Sequence, residues 1–157
     1  MMRTDYISWD EYFMGVALLS AKRSKDPSTQ VGACIVNNEK RIIGIGYNGF
    51  PKGCEDKVFP WEREGSFLTT KYAYVVHAEV NAILNSSSKL EGATLYVSLF
   101  PCNECAKVII QSGIKHIVYM DDKYNGTDGD IASKKMLDAA GISYKKIDKI
   151  KVSLEND

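Results

Sequence analysis

Apolar residues recur at helical spacing near the start of the chain: Trp9, Tyr12, Phe13, Val16, Ala17 and Leu19. Ser8-Trp9-Asp10-Glu11 ahead of them has the Ser-x-x-Glu spacing of a capping box. Lys22, Arg23 and Lys25 follow, and Pro27 cannot continue a helix. The spacing predicts a first helix over 8–25. Val31 to Val36 is a short, partly β-branched apolar run. Asn37-Asn38-Glu39-Lys40 is a turn, and Arg41 to Tyr47 is a second run, so the three read as a hairpin. Residues 48–70 hold Gly49, Pro51, Gly53, Pro60 and Gly65 and keep no period. A loop of that length in a compact domain is functional or metal-stabilised. Helical patterns return over 77–86, 102–112 and 131–140, the last two closed by Gly113 and Gly141. Strand patterns occupy 94–98, 116–120 and 142–147. The order αββαβαβαβ predicts an α/β sandwich, because strand–helix–strand crossovers in the second half demand parallel pairing. The charged tail, Lys145 to Asp157, reads as solvated.

Composition narrows the function. At 157 residues the chain fits one domain, 1–157, with no repeat or linker. It is 45% hydrophobic and 25% charged, which suits a globular protein and excludes disordered and fibrous classes. Twenty basic residues balance twenty acidic ones, which disfavours non-specific nucleic-acid binding. No apolar run is long enough for a membrane span. The N-terminal residues lack the apolar stretch of a secretory signal, so a reducing, cytoplasmic setting is expected. There a Cys-x-x-Cys pair reads as metal or redox before it reads as a disulfide.

Two clusters carry candidate chemistry, His77-Ala78-Glu79 and Pro101-Cys102-Asn103-Glu104-Cys105. Each lies at a predicted helix start. Cys102 and Cys105, one turn apart, can face one ion, and His77 makes three ligands. Zinc with three protein ligands keeps a fourth position for water and lowers that water's pKa towards neutrality. Helix N-termini favour thiolates and a nearby carboxylate. Residues two apart in mid-helix point about 200° apart. His77 and Glu79 therefore share a target only if it lies off the helix end, which leaves Glu79 free to move protons. Alone, the Cys pair could equally be redox-active or incidental, and His-Ala-Glu is common on exposed helices. The joint pattern is the signature of zinc nucleobase deaminases. A structural zinc would need a fourth ligand, and Cys34, Cys54 and His116 are the only spare Cys or His residues. Of these, Cys34 reads as core and His116 as surface. The Trp9, Tyr12, Phe13 stripe reads as core or subunit contact. Lys22, Arg23 and Lys25 read as a solvated helix end or a phosphate contact.

From Trp9 to Ile147 the sequence resembles the cytidine deaminase superfamily and, within it, the deoxycytidylate (dCMP) deaminase family. The resemblance is carried by WDEYFMGVALLSAKRSKDPSTQ from Trp9, VGACIVN from Val31, GIGYNGFP from Gly44, HAEVNAIL from His77, LFPCNECA from Leu99 and QSGIK from Gln111. It implies a three-layer α/β fold, with a central mixed five-stranded sheet and helices on both faces. It implies hydrolysis of dCMP to dUMP and ammonia with one catalytic Zn2+ per chain on His77, Cys102 and Cys105. Glu79 matches the general acid/base that takes a proton from the attacking water, delivers it to ring N3 and then to the amine leaving C4. Asn48 matches the residue that holds the sugar. Backbone groups at Ala78 and around Ser98 to Pro101 would read the pyrimidine edge. Ser24, Lys25 and Tyr124 are the candidates for the 5′-phosphate. Such enzymes are typically homohexamers, activated by dCTP and inhibited by dTTP with Mg2+ on the triphosphate. Gly49, Phe50 and Lys52 are the effector-site candidates. The product would supply thymidylate synthesis. Some members hold a second, structural zinc, but Val75 and Val76 precede His77 here and Cys54 is the only cysteine in the long loop, which argues against one. No membrane or nucleic-acid partner is implied. An editing deaminase of RNA, a deaminase of free cytidine, a zinc-stabilised binding module and a thiol oxidoreductase are the competing readings.

Overall fold

The computed structural model describes residues 1–156. Its elements run α1 (Trp9–Ala21), β1 (Gly32–Val36), β2 (Ile42–Tyr47), two 3-10 turns (Phe67–Thr69 and Lys71–Ala73), α2 (Ala78–Leu84), β3 (Thr94–Leu99), α3 (Asn103–Ser112), β4 (His116–Asp121), α4 (Asp128–Ala139) and β5 (Ser143–Lys146). The five strands form one mixed sheet in the order β2-β1-β3-β4-β5. β1 pairs antiparallel with β2 and β3, and the crossovers through α3 and α4 make β3–β4 and β4–β5 parallel. This is the expected fold class.

Side chains alternate across the sheet with the period of two that a pleated strand imposes. Ala33, Ile35, Leu95, Val97, Ile117 and Tyr119 face one way, into a core closed by Ala82 of α2, Ala106 and Ile109 of α3 and Leu137 of α4. Cys34, Val36, Tyr96, Val118 and Met120 face the other way and pack on Phe13, Met14 and Ala17 of α1. The result is three layers, α1 | sheet | α2–α3–α4. Cys34 is core and His116 is exposed, as expected. The aromatic stripe splits: Phe13 is 1% exposed, whereas Trp9 and Tyr12 are about half exposed.

Three boundaries differ from the sequence reading. The capping box at Ser8 and Glu11 forms, but α1 ends at Ala21 and not at residue 25. The backbone N–H groups of Lys22, Arg23 and Ser24 turn back to carbonyls three residues earlier, which tightens and terminates the helix. Helix α4 starts three residues early because Thr127 caps it, its hydroxyl accepting from the Asp130 N–H. The tail is not wholly solvated: Ile147 and Ile150 pack on the α1-side core.

Candidate active site

β3 ends at Leu99, and the chain then passes through Phe100 and the buried Pro101 into α3. Cys102 is the N-cap residue of α3, and Cys105 sits in its first turn. His77 is the N-cap residue of α2, with extended backbone, while Glu79 lies in the first helical turn. The sequence reading began this helix at His77, one residue early. Its position just ahead of the helix is what lets it share a target with Glu79. His77 Nδ1 lies 3.2 Å from Cys105 Sγ and 3.5 Å from Cys102 Sγ, and the three donor atoms all lie within 4.8 Å of one another. Zinc bonds of about 2.0–2.1 Å to nitrogen and 2.3 Å to sulfur give tetrahedral N–S edges of about 3.5 Å. The donor set and its spacing therefore fit zinc, with a fourth position left over. Among the described residues this is the only cluster of three or more His, Cys, Asp or Glu side chains placed to hold a metal.

The electrostatics favour charge exchange at this point. The hydrogen bond from the Cys105 thiol lowers the Cys102 pKa to about 4, assisted by His77. The same bond to Cys102, together with burial, raises Cys105. His77 is raised by its hydrogen bond to Cys102, which outweighs its burial. Burial raises Glu79 above the ordinary carboxylate value, and the residue is only 4% exposed. A carboxyl group raised in this way is suited to both accepting and returning a proton.

His77, Glu79 and Cys102 line a cavity of about 420 Å³. Asn48, Ala78 and Tyr124 line it too, as do Leu99, Phe100 and Pro101. Ser24 and Lys25 do not. The Ser24 hydroxyl donates to the Asn48 carbonyl, and Lys25 pairs with Asp56, so both support the wall from outside. Gly49, Phe50 and Lys52 also lie off the cavity. Gly49 bridges to Val76 through backbone hydrogen bonds, and Phe50 packs against Trp61 with the rings tilted by 35° and their centroids 4.1 Å apart. Arg63, Tyr72, Lys71 and Asp26, which the sequence reading did not single out, all line the cavity. Arg63 and Tyr72 are exposed members, at its rim. The signal for Arg63, Lys71 and Tyr72 was the unexplained length of the long loop that carries and adjoins them.

A His–Cys–Cys donor set that fits zinc and leaves a fourth position for water, beside a buried carboxyl group, is the arrangement of a zinc-dependent hydrolytic enzyme. The comparisons with known proteins agree. The family model described as "Cytidine and deoxycytidylate deaminase zinc-binding region" matches residues 7–121, and the chain belongs to that family. It is 57% identical over 146 residues to human deoxycytidylate deaminase, covering 92% of this chain and 82% of that one. It is 58% identical over 151 residues to a Drosophila melanogaster protein described as a probable deoxycytidylate deaminase, covering 92% and 74%. Among solved structures, the dCMP deaminase of cyanophage S-TIM5 in complex with dCMP and dUMP superimposes with a TM-score of 0.71 at 25% identity. That match covers 94% of this chain and 100% of the other.

Proposed function

We propose that this chain catalyses the hydrolytic deamination of dCMP to dUMP and ammonia. The observation that carries the reading is one cavity that joins the metal cluster and Glu79 to a rim with a guanidinium, Arg63. Its volume lies in the range of about 300–1,000 Å³ typical of small-molecule sites. The identity to deoxycytidylate deaminases supports the same substrate.

Zinc held by His77, Cys102 and Cys105 supplies Lewis acidity that brings the ionisation of water towards neutral pH. The rest follows from the chain's own groups. Glu79 accepts one proton of the attacking water and donates it to ring N3 as the oxygen adds at C4; it then takes the remaining proton from the new C4 hydroxyl and delivers it to the amine, which leaves as ammonia while the C4 carbonyl forms. Ala78, at the start of α2, presents a backbone N–H with no partner inside the helix to the pyrimidine edge. Leu99, Phe100 and Pro101 enclose the ring and exclude bulk water. Asn48 holds the sugar. Arg63, with Tyr72 and Tyr124, meets the 5′-phosphate, in place of Ser24 and Lys25.

Regulation by dCTP and dTTP with Mg2+ belongs to the same reading. The loop at Gly49, Phe50 and Lys52 lies off the cavity, as a separate effector site requires. Half-exposed Trp9 and Tyr12 and the exposed Leu84 suit assembly into a homohexamer. Supply of dUMP to thymidylate synthesis follows from the product. Four free cysteines suit a cytoplasmic setting, and no helix among the described residues is long and apolar enough to cross a membrane.

The test is loss of the exocyclic amine, followed by ultraviolet absorbance, with zinc-replete protein on dCMP, CMP, deoxycytidine and cytidine, each with and without dCTP and Mg2+. Turnover confined to dCMP is expected, and silence on all four overturns the reading. Glu79→Gln should keep zinc and fold and lose about 10²–10⁴-fold in rate.

A further inference from the structure

The cavity wall contains a buried polar network that the reaction does not explain. Asp26 is 2% exposed, and Asn48 and Lys71 are each 6% exposed. Asp26 Oδ1 accepts from the backbone N–H groups of Ser28 at 2.8 Å and Thr29 at 3.2 Å. Its other oxygen accepts from Lys71 Nζ at 2.6 Å and from Asn48 Nδ2 at 3.4 Å. Asn48 Nδ2 also donates to the Thr29 carbonyl at 2.9 Å, while Asn48 Oδ1 accepts from the Val31 N–H at 2.9 Å.

This bonding leaves the Asn48 amide one orientation. A backbone N–H requires the oxygen on one side; a carbonyl and a carboxylate require the NH2 on the other. Both amide protons are then spent, and what remains towards a ligand is the second lone pair of Oδ1. Resting on the function proposed above, we infer that Asp26, held by Lys71, is a positioning residue that fixes Asn48 as a pure hydrogen-bond acceptor. The wall then takes a ligand donor. A deoxycytidine nucleotide has two kinds, the exocyclic amine and the sugar hydroxyl. The amine must lie at the Glu79 end, where it leaves. The group at Asn48 is therefore the free 3′-hydroxyl. A nucleotide lacking that hydroxyl, or carrying a 3′-phosphodiester as every internal residue of a strand does, leaves the acceptor unpaired. A neutral charge balance disfavours strands only in bulk. This network rejects them at one atom.

Asp26→Asn would face the Lys71 ammonium and the Asn48 NH2 with a third donor, and so unfix the amide. The experiment compares kcat/KM for dCMP and 2′,3′-dideoxy-CMP in wild type, Asp26→Asn and Lys71→Met, all zinc-loaded and at fixed dCTP and Mg2+. Wild type should prefer dCMP by about tenfold or more, the worth of one well-made hydrogen bond. Asp26→Asn should lose about tenfold on dCMP, chiefly through KM, and no more than about threefold on the dideoxy substrate. Lys71→Met should shift the preference the same way by a smaller factor, and it decides the matter if Asp26→Asn does not fold. Equal losses on both substrates, or no loss, would make the network merely structural and overturn the inference. So would a wild-type enzyme that does not distinguish the two. A wild type inert on dCMP would instead overturn the proposed function.

Discussion

Gly46→Ala should damage the active site without touching it. Gly44 and Gly46 lie on the face of β2 that packs against α2. A Cβ at residue 46 would stand 2.4 Å from Ala82 N and 2.8 Å from Ala78 O, both backbone atoms of α2. Ordinary contact begins at 3.4 Å, and helix backbone cannot rotate aside as a side chain can. The helix must therefore retreat from the sheet by about 1 Å, a packing strain of about 1–3 kcal/mol. For a domain of this size that lowers Tm by a few to about ten degrees. The same movement carries His77 and Glu79 away from Cys102 and Cys105, which α3 holds in place. A misplacement of about 1 Å at a catalytic group costs on the order of 10²-fold in rate. The assay is threefold: thermal melting, zinc retention against a chelator, and kcat/KM for dCMP. Gly15→Ala on α1 is the control, because its Cβ would meet only Val152 Cγ2 at 3.8 Å. An unchanged Tm in Gly46→Ala would refute the packing argument. A lowered Tm with wild-type zinc retention and turnover would refute the coupling of that packing to the site.

Two further outcomes test the cavity and the metal cluster. Arg63→Ala should raise KM for dCMP about tenfold and leave turnover of deoxycytidine as it was, since only the former has a phosphate to lose. Steady-state kinetics on the pair decides it, and equal effects on both would place Arg63 elsewhere. In the zinc-loaded protein a thiol reagent should find one reactive cysteine, the partly exposed Cys54. Burial pushes the Cys34 thiol up to about 12, and Cys102 and Cys105 are held by the metal. Addition of chelator and denaturant should release three more. Two fast-reacting thiols at Cys102 and Cys105 in the native protein would favour the oxidoreductase reading.

The sheet and the metal cluster were legible in the sequence because both rest on local signals. The short, partly β-branched apolar runs at Val31 to Val36 and Thr94 to Ser98 need only nearest neighbours to be read. His77 and the Cys pair are short motifs at helix starts. Errors fell where a local signal was ambiguous. Lys22 to Lys25 continue a helical composition, yet the backbone hydrogen bonds of Lys22, Arg23 and Ser24 tighten to three-residue turns. Gly129 hid the start of α4, although Thr127 and Asp130 held the cap. Ile147 and Ile150 sit among lysines and looked solvated, because nothing nearby in the chain shows that the α1-side core lies above them.

The walls of the cavity were illegible for a different reason. Lys71 meets Asp26 across 45 positions of sequence, and neither residue is distinguishable in composition from a solvated charge. A buried ion pair costs desolvation that the attraction alone does not reliably offset. Here the carboxylate is also held by two backbone N–H groups and by Asn48. The two N–H contacts are local turn bonds of the segment after α1, whereas the ion pair needs the long loop to fold back and bring Lys71 in. The loop therefore has two tasks. Gly49 and Val76 tie its ends together beside His77, and its interior brings Arg63 to the cavity rim. Under the function proposed above, shortening the loop should leave the His77, Cys102 and Cys105 donor set on α2 and α3 and weaken the preference for a nucleoside monophosphate over its nucleoside, read as the ratio of kcat/KM for dCMP and deoxycytidine. On that reading the chemistry belongs to the sheet and its helices, and recognition of the phosphate belongs to the loop.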